Sequence, residues 1–380
     1  MLKYCKKCLQ PNTRPNVVFS DYGTCPICVY TDEIKNIDWE ERFQILLDLV
    51  ARYKNRSKRH AYDCIVGVSG GKDSTRQALF IRDKLGLRPL LVCSSYPASQ
   101  VSDIGVNNLS NLIEMGFDVI ISAPSPVEWK KLIRESFFKF TNWARSAELS
   151  YFSSVPRIAI NYGIKLIIWG ENTAIQVGDI STLGKNGYDA NNLRNSNTLS
   201  SGHTWMLNSG YLLKKITPYI FPTISEYDNA NLNVIFLGWF LGDWSLKRNA
   251  AFSSVYGLQH RHEPADITGD IEGFSNLDED WHLMNQMIKY YKFGFGKVTE
   301  SVCERIRAGE ISRQEGINLI ERFDGKCGKK YIDSFCDYIG INEEVFWRHV
   351  KKSVNKSLFE IKSGVIVPKF RVGTNGTIKG

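Results

Sequence analysis

From Tyr62 onward the chain alternates short apolar runs with amphipathic stretches. Residues 62–68, 88–94, 117–122 and 166–170 are compact apolar segments, and each predicts a buried strand. Between them, helical spacing of apolar positions predicts helices over 75–85, 103–115 and 126–140, the last opened by its proline. Strands separated by helices predict an α/β fold with a doubly wound parallel sheet. Right-handed crossovers would gather the strand-ending loops on one edge, where ligands bind.

Upstream, Asp38 and Glu41 make a D-x-x-E capping pair ahead of Phe43, Leu46, Leu47 and Val50, so a helix begins near 38. The basic run 56–59 reads as a solvated connector. The longest strongly apolar stretch, 234–241, is far short of a membrane span and predicts a buried helix segment. Residues 180–225, rich in Gly, Asn and Ser, read as a long surface loop and a candidate substrate lid. Helices are expected over 280–293, 299–308, 312–323 and 342–353, and residues 368–380 should fray. This divides the chain into a cysteine module (1–35), a helical linker (36–60), an α/β domain (61–250), a helical C-terminal region (251–365) and a flexible tail (366–380).

Composition adds limits. Hydrophobic residues make up 43% and charged residues 23% of the 380, which affords a packed core and excludes wholesale disorder. Residues 1–5 lack the apolar run of a signal peptide, so a cytoplasmic protein with reduced thiols is expected. A net charge of +8 suits a nucleotide, a sugar nucleotide or nucleic acid, and equally suits plain solubility.

Two motifs carry chemistry. Ser69-Gly70-Gly71-Lys72-Asp73-Ser74 follows a predicted strand directly and precedes a helix. Its glycines permit a sharp turn and close approach, while amides and the positive helix end face outward as a phosphate site. Ser69 and Ser74 could add hydroxyl donors. The spacing is neither the Walker pattern nor G-x-G-x-x-G. The bland alternative is a turn that merely joins strand to helix.

The second motif is Cys5-x₂-Cys8 with Cys25-x₂-Cys28, sixteen residues between the pairs. That spacing predicts one tetrahedral structural Zn²⁺, which would fold a module too small to bury a core. A redox C-x-x-C is the competing reading. Cys64, Cys93, Cys303, Cys327 and Cys336 are scattered and read as small core residues.

The loop matches S-G-G-x-D-S, the PP-loop of the N-type ATP pyrophosphatases, and so resembles the adenine nucleotide alpha hydrolase-like fold. The resemblance narrows to the N-acetyl sugar amidotransferases of bacterial surface-polysaccharide and flagellar sugars. It rests on both cysteine knuckles, the loop, Trp169-Gly170-Glu171-Asn172, residues 236–239 and 290–297, and the helical segment 306–317. The resemblance implies that ATP adenylylates the acetamido oxygen of a nucleotide-linked N-acetyl sugar. Ammonia then displaces AMP, giving an acetamidino sugar for O-antigen (lipopolysaccharide) or flagellin glycan synthesis. It further implies that Ser69, Gly70, Gly71, Lys72, Asp73 and Ser74 hold ATP, with Lys72 at the variable position and Asp73 helping to hold Mg²⁺. It implies a separate glutaminase and an ammonia-channelling barrel subunit resembling those of imidazole glycerol phosphate synthase.

Glu171 and Asn172 end a predicted strand on the loop's edge, where substrate amide or metal could sit. A helix N-cap role for Glu171 stands beside that reading. Lys247, Arg248, His260 and Arg261 are candidate oxyanion contacts, against ordinary exposed basic residues. Trp239 and Trp244 are candidate stacking platforms, against plain core. Residues 294–296, Gly-Phe-Gly, read as a close-packing turn. The alternative function is a PP-loop enzyme that adenylylates a tRNA base, although no cysteine pair flanks the loop as thiolation needs. A scaffold that keeps the loop only to bind nucleotide ranks third. Nucleic acid is not an expected partner of the first reading.

Overall fold

The computed structural model describes residues 1–54, 61–170, 186–196 and 199–376. Five strands form one parallel sheet: β1 (Cys64–Gly67), β2 (Pro89–Ser94), β3 (Val119–Ser122), β4 (Leu166–Trp169) and β5 (Asn233–Phe236). Their order is β3-β2-β1-β4-β5. The chain steps outward from β1 to β3, then returns to the far side of β1. The reversal falls between β1 and β4, where Ile65 pairs with Ile167 and Val66 with Ile168. At such a switch point the connections leave to opposite faces and open a crevice beyond the strand ends.

Both faces are covered, as a parallel sheet requires. The helices are α1 (Pro26–Glu33), α2 (Trp39–Ala51), α3 (Lys72–Leu79), α4 (Asp103–Glu114), α5 (Pro126–Phe140) and α6 (Ala144–Tyr162). Cys64 and Val66 meet Leu46 and Leu49 of α2 and Ala78 of α3. Ile65, Val92 and Ile167 face the other way, onto Val155 and Ala159 of α6. Asp38 caps α2 by accepting from the Glu40 and Glu41 amides at 3.0 Å. The expected strands and helices of this region all form; α3 starts three residues before 75, because Gly71 already serves as its N-cap.

No periodic signal marks α6, the longest helix described. Pro156 lies inside it, and Ser146, Ser150, Ser153 and Ser154 are buried. Ser146, Ser153 and Ser154 return their hydroxyls to the carbonyl three residues back. Polar residues satisfied this way sit in a core and blur the apolar stripe.

The rest is helical: α7 (Leu246–Val255), α8 (Trp281–Phe293), α9 (Lys297–Arg307), α10 (Arg313–Phe323), α11 (Lys329–Ile339) and α12 (Glu343–Ser353). The expected boundary at 250 falls inside α7. An antiparallel hairpin, β6 (Phe359–Lys362) and β7 (Val365–Pro368), follows. Among the described residues no helix is long and apolar enough to cross a membrane.

Three expectations are corrected. Residues 234–241 are not a helix: they give β5 and then a 3₁₀ turn at Leu237–Trp239. A short apolar run is ambiguous by periodicity alone, and the open place beside β4 decides for strand. The described part of 180–225 is not a loose loop but short helical turns whose Trp205, Met206, Ile216 and Tyr219 pack with α5 and α8. The tail does not fray at 368. Phe370 and Val372 are buried against the cysteine module, the Tyr4 amide donates to Asn375 Oδ1 at 3.0 Å, and the Gly376 amide donates to the Leu2 carbonyl. Residues 377–380 lie outside the described residues. Phe370→Ala should therefore cost about 3–5 kcal/mol, read as a lower urea midpoint of the full chain with unchanged slope. A shift within error would mean that the tail contributes nothing.

Candidate active site

The loop leaves β1 at its C-terminal end, beside the switch point. Gly67, the last residue of β1, faces the Trp169 ring so closely that an added Cβ would lie 2.4 Å from it. Gly70 has φ +81°, and an added Cβ would lie 2.7 Å from the Leu109 amide nitrogen of α4. Only glycine satisfies both constraints. Gly71 then enters α3 in an extended conformation with no side-chain cap, so the first-turn amides are not taken by a capping side chain. The hydroxyls turn inward rather than outward. Ser74 Oγ donates to the Gly71 carbonyl at 3.1 Å, Ser69 Oγ accepts from the Gly71 amide, and Thr75 Oγ1 donates to the Gly70 carbonyl. They brace the turn from within.

Asp73 is the fixed point of the rim. Its Oδ1 accepts from Asn249 Nδ2 at 2.6 Å and its Oδ2 from Lys72 Nζ at 2.7 Å. Asn249 Oδ1 in turn accepts from Arg76 Nη1 at 2.6 Å, and Arg76 also holds the Asp243 carboxylate. Ser253 Oγ donates to the Lys72 carbonyl at 2.6 Å, so α7 lies along the start of α3. Gln77 Nε2 donates to the Ile168 carbonyl, fastening α3 to β4. Lys72 is buried, with Nζ 5.8 Å from the Phe274 ring centre. Asn249, Arg76, Gln77 and Phe274 gave no signal in the sequence, because Asn249 lies 176 residues from its partner. The flagged Lys247-Arg248 pair immediately before it was the nearest hint.

The other sequence candidates divide. Trp244 stands beside the Arg76 guanidinium and packs on Gly170 and Gly238 at the ends of β4 and β5. Trp239 instead lies under Arg42, 3.7 Å from ring centre to guanidinium carbon. Arg261 is buried, donating to the carbonyls of Ser275, Asn276 and Glu279 and to Asp280, so it latches a turn rather than facing a ligand. Lys247 pairs with Glu310, and His260 bonds Ser254. Arg248 is exposed. Glu171 and Asn172 lie outside the described residues. The 294–296 run is a close turn: Gly294 has φ +76°, and Asp324 accepts from the Gly296 and Val298 amides at the start of α9.

The four N-terminal cysteines converge. Their sulfur atoms lie within 4.8 Å of one another, all buried, none in a disulfide. Cys8 and Cys25 sulfurs are 3.7 Å apart. A tetrahedral shell with Zn–S of about 2.3 Å sets sulfurs about 3.8 Å apart, so the cluster fits four-thiolate coordination of one ion. The Cys25 amide donates to Cys5 Sγ at 3.2 Å and the Gln10 amide to Cys8 Sγ at 3.4 Å, donors of the kind that orient a metal-binding sulfur. Elsewhere Cys64, Cys93, Cys303 and Cys336 are buried and Cys327 half-buried. Burial pushes the Cys93 thiol up to about 12, which leaves no nucleophilic thiolate on that strand.

Residues 268–371, just over a quarter of the chain, match the family model described as "LPS biosynthesis protein WbpG-like, C-terminal domain". No curated protein matches the chain. Among solved structures, the NH3-dependent NAD synthetase of Campylobacter jejuni subsp. jejuni NCTC 11168, in complex with the nitrate ion, is 13% identical. It covers 60% of this chain and 100% of its own, with a TM-score of 0.27. NMN synthetase from Francisella tularensis is 16% identical over 60% of this chain and 99% of its own, with a TM-score of 0.28. Superpositions at such scores carry no argument about this chain's chemistry, which rests on its own loop. Residues 268–371 are thus similar to the C-terminal domain of WbpG-like LPS biosynthesis proteins, while the Ser-Gly-Gly-Lys-Asp-Ser loop lies upstream of that match.

Proposed function

We propose that this protein is an ATP-dependent amidotransferase of lipopolysaccharide biosynthesis, converting a nucleotide-linked N-acetyl sugar to its acetamidino derivative with release of AMP and pyrophosphate. The observation that carries this reading is the loop itself. It ends β1 at the topological switch point, and Asp73 stands at its rim under Asn249, in a chain whose C-terminal domain is WbpG-like.

An amide oxygen is a poor leaving group, and adenylylation improves it. The acetamido oxygen attacks the α-phosphorus, the O–P bond forms, and the bond to pyrophosphate breaks as the amide N–H proton is lost. Ammonia then attacks the imidate carbon, forming the C–N bond. The C–O bond breaks with departure of AMP, and the amidine keeps a proton as its cation.

The first-turn amides of α3 and the glycine backbone would receive the departing pyrophosphate. Asp73 offers hard carboxylate oxygens of the kind Mg²⁺ takes, and a bound Mg²⁺ would neutralise phosphate charge there. Lys72 then changes partner, from the Asp73 oxygen to a phosphate. Glu171 and Asn172, next along from Gly170 at the end of β4, are assigned to the acceptor side. The thiol cluster would hold a structural Zn²⁺, and a separate glutaminase with a barrel subunit would supply ammonia.

The tRNA reading has less support. The cysteines outside the cluster are buried or half-buried, with no reactive pair beside the loop.

Purified protein with Mg-ATP, ammonium and a panel of UDP-linked N-acetyl sugars should form AMP with one sugar only, giving a product lighter by the difference between O and NH. AMP formed with total tRNA instead would replace this reading. Asp73→Asn should lower that AMP formation on the order of 10²-fold, the scale of one lost pre-placed charge contact. Asn249→Ala removes a hydrogen bond to a charged group, about 1.5–3 kcal/mol, and should lower turnover tenfold or more. Asn249→Asp, placing like charge against Asp73, should lower it further. Steady-state assays that find Asn249→Ala at wild-type rate would remove Asn249 from the site.

A further inference from the structure

The surface formed by α12 and the β6–β7 hairpin concentrates positive charge. Lys351 and Lys352 stand in the last turn of α12, where two cations already answer the negative end of the helix. Arg348 precedes them, Lys356 follows, and Lys362 and Lys369 stand on or beside the hairpin. Lys369 is tied to the group, its Nζ donating to the Lys356 carbonyl at 2.5 Å. Two carboxylates answer these six cations: Glu344 lies 3.9 Å from Arg348, and Glu360 lies 2.6 Å from Lys362. Glu343 is turned to Lys329 on α11. Among the described residues, Lys351, Lys352 and Lys356 pair with no carboxylate. The surplus of four is half of the chain's net charge of +8, gathered on one small face.

The same face carries apolar side chains that no core covers. Residues 361–365 are all exposed at the tip of the hairpin, with Ile361 48% and Val365 63% exposed. The register sets Lys362 opposite Val365 and Ile361 opposite Ile366, so apolar and basic side chains share the tip. Ile361 and Trp347 line a groove of about 620 Å³ together with Arg348, Lys351, Lys352, Lys356 and Glu344. Lys351 Nζ lies 3.9 Å from where a Cβ on Gly364 would stand, so α12 and the tip make one surface. The base of the hairpin is firm, because Phe359 and Phe370 are buried in the core shared with the cysteine module.

Exposed apolar groups among cations suit either an acidic protein or an anionic bilayer. Protein interfaces are depleted in lysine, whereas five of these six cations are lysines. Elements that lie on a membrane combine Lys and Arg with a few apolar side chains that enter the headgroup boundary. Tryptophan favours the same depth. We propose that α12 and the β6–β7 hairpin form a docking face for an anionic phospholipid surface. The tip, Ile361 to Val365, enters between headgroups, and the groove beside Trp347 receives a headgroup phosphate on Arg348 and its lysines. Contact is peripheral and reversible, with no spanning segment. The inference does not depend on which acceptor the enzyme adenylylates.

The test is co-sedimentation of the full chain with vesicles of phosphatidylethanolamine and phosphatidylglycerol, beside vesicles of phosphatidylcholine alone, across a salt series. Wild type should partition onto the anionic vesicles, come off as salt rises, and ignore phosphatidylcholine. The triple variant Lys351→Gln, Lys352→Gln, Lys356→Gln should partition on the order of 10²-fold more weakly, at about fivefold per lysine. Ile361→Ser with Val365→Ser, which leaves charge unchanged, should weaken it about tenfold. Two controls fix the place: Val18→Ser, an exposed apolar residue elsewhere, should match wild type. Lys130→Gln, Lys214→Gln, Lys215→Gln, the same loss of net charge on another surface, should lose far less than the first triple variant. No partition of wild type, full partition of the hairpin variant, or equal losses in the two lysine variants each overturns the proposal. Binding of soluble polyglutamate without binding of vesicles overturns it in favour of an acidic protein. Should the hairpin variant fail to fold, Val365→Ser alone is compared with Val18→Ser, and equal partition overturns the idea.

Discussion

The hydrogen bond from Asn249 to Asp73 is the constraint on which the rest of the site depends. A glycine-rich turn is soft by construction, since glycine loses more freedom on ordering than any other residue. Here the softness is removed from three sides. Gly70 abuts the α4 backbone, the serine and threonine hydroxyls close the turn internally, and α7 fixes the Asp73 carboxylate on the rim. Asn249 does this as a neutral group, offering a donor to Asp73 and an acceptor to Arg76. A lysine there would be a competing counter-ion, and an aspartate would repel. An amide fixes the carboxylate's direction and leaves its charge available.

The position of α7 is itself set from the C-terminal domain. Glu304 on α9 accepts from the Leu246 amide at 2.9 Å, a carboxylate at a helix N-terminus, where the helix dipole favours it. Lys247 then pairs with Glu310 just beyond α9. Val298, Val302 and Cys303 on the same helix pack into the core that holds the four thiols. One helix of eleven residues thus touches the cysteine module with one face and steadies the helix over the glycine-rich loop with another. The N-terminal module is therefore not an appendage: its core is shared with Val298, Val302 and Ile320 and is closed by Phe370 and Val372 of the chain's end.

This arrangement explains which features were legible in the sequence. The sheet could be read because a parallel sheet covered on both faces writes itself as apolar runs, and the loop because its letters and its flanks agree. The cysteine cluster could be read because its partners are close in sequence. What could not be read was long-range or polar. Asn249 finds Asp73 across 176 residues, and α6 hides its inward face behind satisfied serines. The apolar run after 233 misled because strand and buried helix share one composition, and only the open place beside β4 decides between them. Arg261 misled differently: a basic residue after a helix suits an oxyanion, yet carbonyls of its own turn satisfy it first.

The inward serines bear on how such a loop recognises phosphate. With the Ser74 hydroxyl donating to the Gly71 carbonyl and Ser69 Oγ accepting from the Gly71 amide, both side chains help to shape the turn. The donors left to meet an anion are the Ser69 O–H, the first-turn amides of α3 and one lysine that already has a carboxylate partner. Amides of a braced turn barely reorganise, so they suit a leaving group whose charge grows as the bond to it breaks. A lysine paired with a carboxylate suits the opposite task, since exchanging the Asp73 oxygen for a phosphate oxygen costs little when both are anionic. Fixed amides with one exchangeable cation suit an anion that is released better than one that is tightly retained.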